Sequence, residues 1–175
     1  MIPLMKKPKT SIRNYVFAEH NWHGQIAHER MVRYGDYVYI SNTHPQLPQV
    51  CRLDAQCLQE ELREMAKQGK LTAAQMDPLL EPRPSEELFE LKDDPYQINN
   101  LAGNLTYRKT LRRLHKVMDE WQERTGDTTP SLENATPDRW DRRTGKRIYE
   151  GSHPPSGIFP GQETNAAKLN DSGPR

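Results

Sequence analysis

A few side chains carry whatever chemistry this chain can do. His20, Trp22 and His23 stand in one polar run, His20-Asn21-Trp22-His23-Gly24, directly after an apolar stretch. Two imidazoles and an indole so close together can donate and accept hydrogen bonds and offer a flat ring for stacking. The competing reading is an exposed loop whose Trp caps the edge of a core. Zinc is a weaker option: His20, His23, His28, Cys51 and Cys57 supply suitable atoms, but their spacing matches no zinc tetrad. With no secretory signal evident, Cys51 and Cys57 read as reduced thiols in preference to a disulfide. Asp93-Asp94 resembles an acid pair, yet Pro95 follows it and turn chemistry explains it more simply. Arg108, Lys109, Arg112, Arg113 and Lys116 make a basic side that could hold a heparin-like polyanion. The preferred reading is a solvated face balanced by Asp119, Glu120 and Glu123. The expectation is therefore no catalytic residue and no metal ligand in this chain.

These groups need a scaffold, and the sequence specifies one best between Glu86 and Trp121. Glu87-Leu88-Phe89-Glu90-Leu91 reads as a strand and Asp93-Asp94-Pro95 as a turn. A long helix follows, with Leu111, Leu114, Met118 and Trp121 on one face and Leu105 and Tyr107 able to extend the stripe. Asn104 is placed to cap its start and Gly126 to end it. The sequon Asn104-Leu105-Thr106 thus reads as a cap; it and Asn134-Ala135-Thr136 matter as acceptors only in a secreted chain. Upstream, Asn14–Glu19 reads as a strand, and Glu29–Arg33 with Tyr37–Ile40 as a hairpin about Tyr34-Gly35-Asp36. A helix over Cys57–Lys67, a shorter one from capping Thr72 to Leu80, and Pro82 and Pro84 beyond it fill the middle. The fold expected is α+β: a small antiparallel sheet packed by a long C-terminal helix.

Composition sets limits. A hydrophobic fraction of 34% and mean hydropathy of -0.98 allow a small core with long polar appendages. A net charge of +1 offers no global field to attract nucleic acid or a membrane, and no apolar run is long enough to span one. Beyond Asp127 prolines and glycines replace apolar residues, which predicts an extended tail that docks through Trp140, Ile148 and Tyr149 and is disordered after 151. The organisation expected is a linker remnant over 1–11, a folded unit over 12–126 and the tail over 127–175.

The run Arg83-Pro84-Ser85-Glu86-Glu87-Leu88-Phe89-Glu90-Leu91 through Asp93-Asp94-Pro95 to Asn100-Leu101-Ala102 resembles the "RPxEELYDLxxDPxExxNLA" segment near the C-terminus of type I sulfatases. Tyr15-Val16-Phe17-Ala18-Glu19-His20-Asn21-Trp22-His23, with Arg30-Met31-Val32-Arg33 and Tyr37-Val38-Tyr39-Ile40, resembles a second run of the heparan N-sulfatase-like branch. The resemblance extends from about Ile12 to about Tyr149 and implies the C-terminal portion of an alkaline-phosphatase-like sulfatase. Its implied partners are a missing N-terminal catalytic domain and a sulfated carbohydrate, with His20, Trp22 and His23 facing the active-site mouth as substrate-binding residues. The family's cofactors are calcium and a formylglycine made from Cys-x-(Pro/Ala)-Ser-Arg. Here Cys51 precedes Arg52-Leu53 and Cys57 precedes Leu58-Gln59, so neither fits, and the paired aspartates of the family's metal strand are absent. The chain alone is expected to be inactive. The alternative is a non-catalytic carbohydrate- or protein-binding module derived from a sulfatase tail.

Overall fold

The computed structural model describes residues 5–7, 11–48, 56–151, 153–169 and 171–175, the side chains of 56–59 excepted. Cys51 and the Cys57 side chain lie outside the described residues. Four strands, β1 (Tyr15–His20), β2 (Glu29–Tyr34), β3 (Tyr37–Asn42) and β4 (Glu86–Glu90), pair antiparallel in chain order. The β2–β3 hairpin turns through Gly35-Asp36, where Gly35 takes a positive φ of 57° that an L side chain adopts only under strain.

Register explains the core. Phe17 pairs with Val32, Val32 with Tyr39 and Tyr39 with Leu88, so one apolar row crosses the whole sheet on a single face. After α1 (Gln56–Lys67) and α2 (Ala73–Met76), the long helix α3 (Arg108–Thr125) lies on that row. Val32, Tyr39, Leu88, Leu114 and Met118 form the buried cluster, flanked by Tyr107, Leu111 and Trp121. Phe17 and Trp121 stack with centroids 5.1 Å apart. The periodic stripe thus lands where the sequence places it, except at Leu105, which is 80% exposed. Leu105 lies in a 3-10 turn (Leu105–Tyr107) ahead of α3, outside the α-helical phase. Asn104 caps that turn by accepting from the Thr106 N–H, and Gly126 ends α3 at a φ of 68°.

Smaller departures have local causes. The expected Thr72–Leu80 helix is α2 followed by a 3-10 turn (Asp77–Leu79), because Pro78 has no N–H to continue an α-helical ladder. Thr72 and Gln75 make a reciprocal capping box at its start. β4 begins one residue earlier than expected, and Asn100 borders it. The Asn100 carboxamide accepts from Leu88 N–H at 3.0 Å and donates to Glu86 O at 3.1 Å. Asp94 accepts from the N–H groups of Ile98 and Asn99, which is the turn chemistry expected of it.

The described residues of the segment 127–175, expected to be extended, double back over the end of the sheet and along α3. Ala135 bridges Ile158, Trp140 bridges Arg147, and α4 (Ala166–Leu169) follows. Gly173 packs against the Trp121 indole, and Asn14 Nδ2 donates to Arg175 O at 3.4 Å. Hydrogen bonds and close glycine contacts hold this segment, which is why its low hydrophobicity is no obstacle. Among the described residues no helix is long and apolar enough to cross a membrane.

Candidate functional site

The three candidate side chains at the end of β1 have different surroundings. His20 stays exposed and its Nδ1 lies 2.9 Å from Glu29 Oε2, its cross-strand partner. Trp22 is half-buried; its Nε1 donates to Pro137 O at 2.9 Å and its ring meets Phe159 edge-on at 6.3 Å. His23 is exposed. Trp22 therefore joins the returning segment to the sheet end, while the two imidazoles are left at the surface. A small, shallow cleft opens beside Trp22, walled by His28, His44, Thr136, Ile158 and Phe159.

Beneath the loop is a charged network that the sequence reading missed. Arg30 is 1% exposed and Asp127 6%, and they pair in bidentate fashion: Nε to Oδ2 at 2.8 Å and Nη2 to Oδ1 at 2.7 Å. His28 Nε2 lies 3.5 Å from Asp127 Oδ2 and donates to Thr128 O at 3.1 Å. Burial alone would raise the Asp127 carboxyl pKa; the hydrogen bonds from Arg30 and His28 overcome it and hold the group well below the usual carboxylate range. Arg30 also donates to His20 O and Glu29 O, so one guanidinium ties the β1 end, β2 and the exit of α3 together. The signal was present: period-two alternation puts Arg30 on the same face as Val32, and a cation on a core face demands a buried partner.

Two glutamates of β4 make parallel clamps, Glu86 to α3 and Glu90 to the 3-10 turn ahead of it. Glu86 accepts from Tyr39 OH at 2.7 Å and lies 3.2 Å from His115 Nδ1. Glu90 accepts from both Tyr37 OH and Tyr107 OH. Burial, then the Glu86 hydrogen bond, push the Tyr39 phenol pKa far up, so Tyr39 acts as a fixed donor. Among the described residues no three His, Cys, Asp or Glu side chains converge as metal ligands would. His28 of the zinc option is buried within the Arg30–Asp127 network, and His20 turns to Glu29. The geometry is that of a packing unit, with His20 and His23 at its surface.

An ulvan-active sulfatase of Formosa agariphila is 39% identical over 102 residues, which cover 56% of this chain. The chain is related in sequence to sulfatases. A second ulvan-active sulfatase of the same organism is 25% identical over 137 residues, 72% of the chain. The chain spans 17% and 24% of these sulfatase relatives' own lengths. Among solved structures, a 2-O GAG sulfatase aligns with a TM-score of 0.42 and 22% identity, covering 71% of this chain and 19% of its own. A Bacteroides thetaiotaomicron protein assigned to the sulfatases aligns at 0.41 and 19%, covering 69% and 19%. No family model matches the chain.

Proposed function

We propose that this chain is the C-terminal subdomain of a sulfatase that hydrolyses sulfate esters or N-sulfamates of a sulfated polysaccharide. The observation that carries this reading is the 39% identity over 102 residues to a sulfatase of which the chain spans only 17%. The hydrolytic centre then belongs to a separate N-terminal domain, and this segment contributes packing and a substrate rim. On that rim His20 and His23 offer hydrogen bonds to sugar hydroxyls, and Trp22 fixes the loop that presents them. The motif resemblance favours a heparan-like N-sulfated chain as substrate; the sequence relatives are named for ulvan.

Formylglycine and calcium do not fit the residues of this chain. Neither Cys51 nor Cys57 stands in the Cys-x-(Pro/Ala)-Ser-Arg context, and a divalent cation needs several converging oxygens that the described residues do not assemble. On this reading both belong to the catalytic domain. The test is the coding sequence upstream of Met1 together with turnover assays. A segment encoding Cys-x-(Pro/Ala)-Ser-Arg is expected upstream, and the polypeptide joined to it should release sulfate from a heparan-like oligosaccharide or from ulvan. The 175-residue chain alone should turn over neither an aryl sulfate nor N-sulfoglucosamine. Turnover by the isolated chain, or an inactive joined polypeptide, overturns the proposal.

A further inference from the structure

On the outer face of α3 charge works against helix stability. Lys109, Arg112 and Lys116 recur at i, i+3 and i+7, on the side opposite the packed Leu111, Leu114 and Met118, with Arg108 beside them. All four are exposed. The first turn holds no acidic residue, so Arg108 and Lys109 face the positive end of the helix dipole. Arg108 and Arg112, and Arg112 and Lys116, are like charges at i, i+4, each pair repelling.

A solvated face would offset this with ion pairs, and among the described residues none of the helix's three acids pairs with these cations. Asp119 contacts His115 at 3.5 Å, Glu120 contacts Arg124 at 3.8 Å, and Arg124 also binds Asp171. Among the described residues Arg108, Lys109, Arg112 and Lys116 make no ion pair. Arg113, the fifth cation, is occupied: it stands 4.1 Å over the Tyr34 ring and donates to Tyr15 OH at 3.0 Å. What is left is a strip of four uncompensated cations. At 1.5 Å rise per residue it runs about 12 Å along the axis and stops where the acids begin.

We propose that Arg108, Lys109, Arg112 and Lys116 form a docking strip for a sulfated polysaccharide chain, an inference that rests on the sulfatase reading above. Sulfate groups are permanently anionic and recur along such a chain, so a row of cations without directional partners complements it by charge alone. Nucleic acid fits less well. The rings beside the strip, Tyr15 and Tyr34, are covered by Arg113 and cannot serve as stacking platforms for bases.

The test titrates the full chain with heparin by calorimetry from 50 to 200 mM salt. Binding should weaken steeply with salt. The triple variant Lys109→Ala/Arg112→Ala/Lys116→Ala should bind about tenfold or more weakly, with its log–log salt slope reduced by roughly 2 to 3. Its circular dichroism should be unchanged and its melting point equal or somewhat higher, because both like-charge pairs are gone, and Arg63→Ala/Lys67→Ala should bind heparin like the parent. No heparin binding at 50 mM salt, a triple variant that binds normally, or equal affinity for duplex DNA would overturn the inference. Sulfate release by the joined polypeptide without heparin binding refutes only this strip. Heparin binding with an inactive joined polypeptide refutes only the sulfatase reading.

Discussion

Removing the Asp127 carboxylate is the sharpest perturbation available, because it strands a buried cation. In Asp127→Ala the Arg30 guanidinium, 1% exposed, keeps only His20 O at 3.3 Å and Glu29 O at 3.0 Å, with Glu19 as far as 4.0 Å. Breaking a buried, hydrogen-bonded pair from one side costs about 3–5 kcal/mol, far more than a surface salt bridge contributes. Domains of this size hold roughly 5–15 kcal/mol in all, so the variant should lose a large share of its stability. At about 2–4 °C per kcal/mol, the midpoint of thermal unfolding should fall by roughly 6–20 °C. The control is Arg30→Met/Asp127→Leu, which removes both charges and fills the space. It should melt well above Asp127→Ala, since most of the penalty is the orphaned charge. An Asp127→Ala protein that melts within 2–3 °C of the parent (about 1 kcal/mol), or a double variant less stable than the single, would refute the role given to this pair.

The same carboxylate gives an acid limb. Its folded pKa is depressed, so its contribution is fully present above the unfolded carboxylate pKa of about 3.9 and is lost as pH falls below that toward the folded value. Stability of the parent should therefore drop more steeply below about pH 4 than that of the double variant.

His44 sets a second and milder limb: burial lowers its pKa, and His28 and Arg142 lower it further. Its stability contribution is complete above an unfolded histidine pKa of about 6.5 and declines as pH falls through that value, so His44→Gln should flatten the melting temperature between about pH 7.5 and 5.5. Leu114→Ala, at a side chain with 0% exposure on the Val32–Tyr39–Leu88 row, should cost about 2–5 kcal/mol in urea unfolding, whereas the exposed Leu105→Ala should change little. Gly157→Ala places a Cβ against the backbone of Thr136 at a φ of 122°, so it should cost about 1–3 kcal/mol and speed proteolytic cleavage between 130 and 160 without exposing the sheet core.

What the sequence made legible follows the range of the interaction. The hairpin, the α3 stripe and the caps at Asn104 and Gly126 depend on neighbours within a few residues, and each lies within a turn of its expected place. Arg30 and Asp127 are 97 residues apart, and Trp22 and Pro137 are 115 apart, so no local pattern couples them. Only the misplaced cation on the Val32 face marks one half of the first pair. The segment after Asp127 misleads for a related reason. Composition reports apolar burial, whereas this segment is held by polar and glycine contacts such as Gly24 beneath Trp140 and Gly173 beside Trp121. His20, Trp22 and His23 were visible as residue types, but the directions of His20 and Trp22 depend on partners across the sheet or distant in sequence.

Charge on α3 shows the same limit from the opposite side. Six cations and three acids on one helix read as a mixed, solvated face in a linear count. Balance in a protein requires contact, and contact has direction. Asp119 and Glu120 lie one turn or less from basic neighbours that are not the strip, and those neighbours take them. A helix that places like charges at i, i+4 near its own positive end loses stability through every such pair, and nothing within the described fold returns it. The proposed docking strip places that compensation outside this chain, in an anion spaced to reach several cations at once. Under the proposed docking role, such a strip would hold a polymer without taking part in its cleavage.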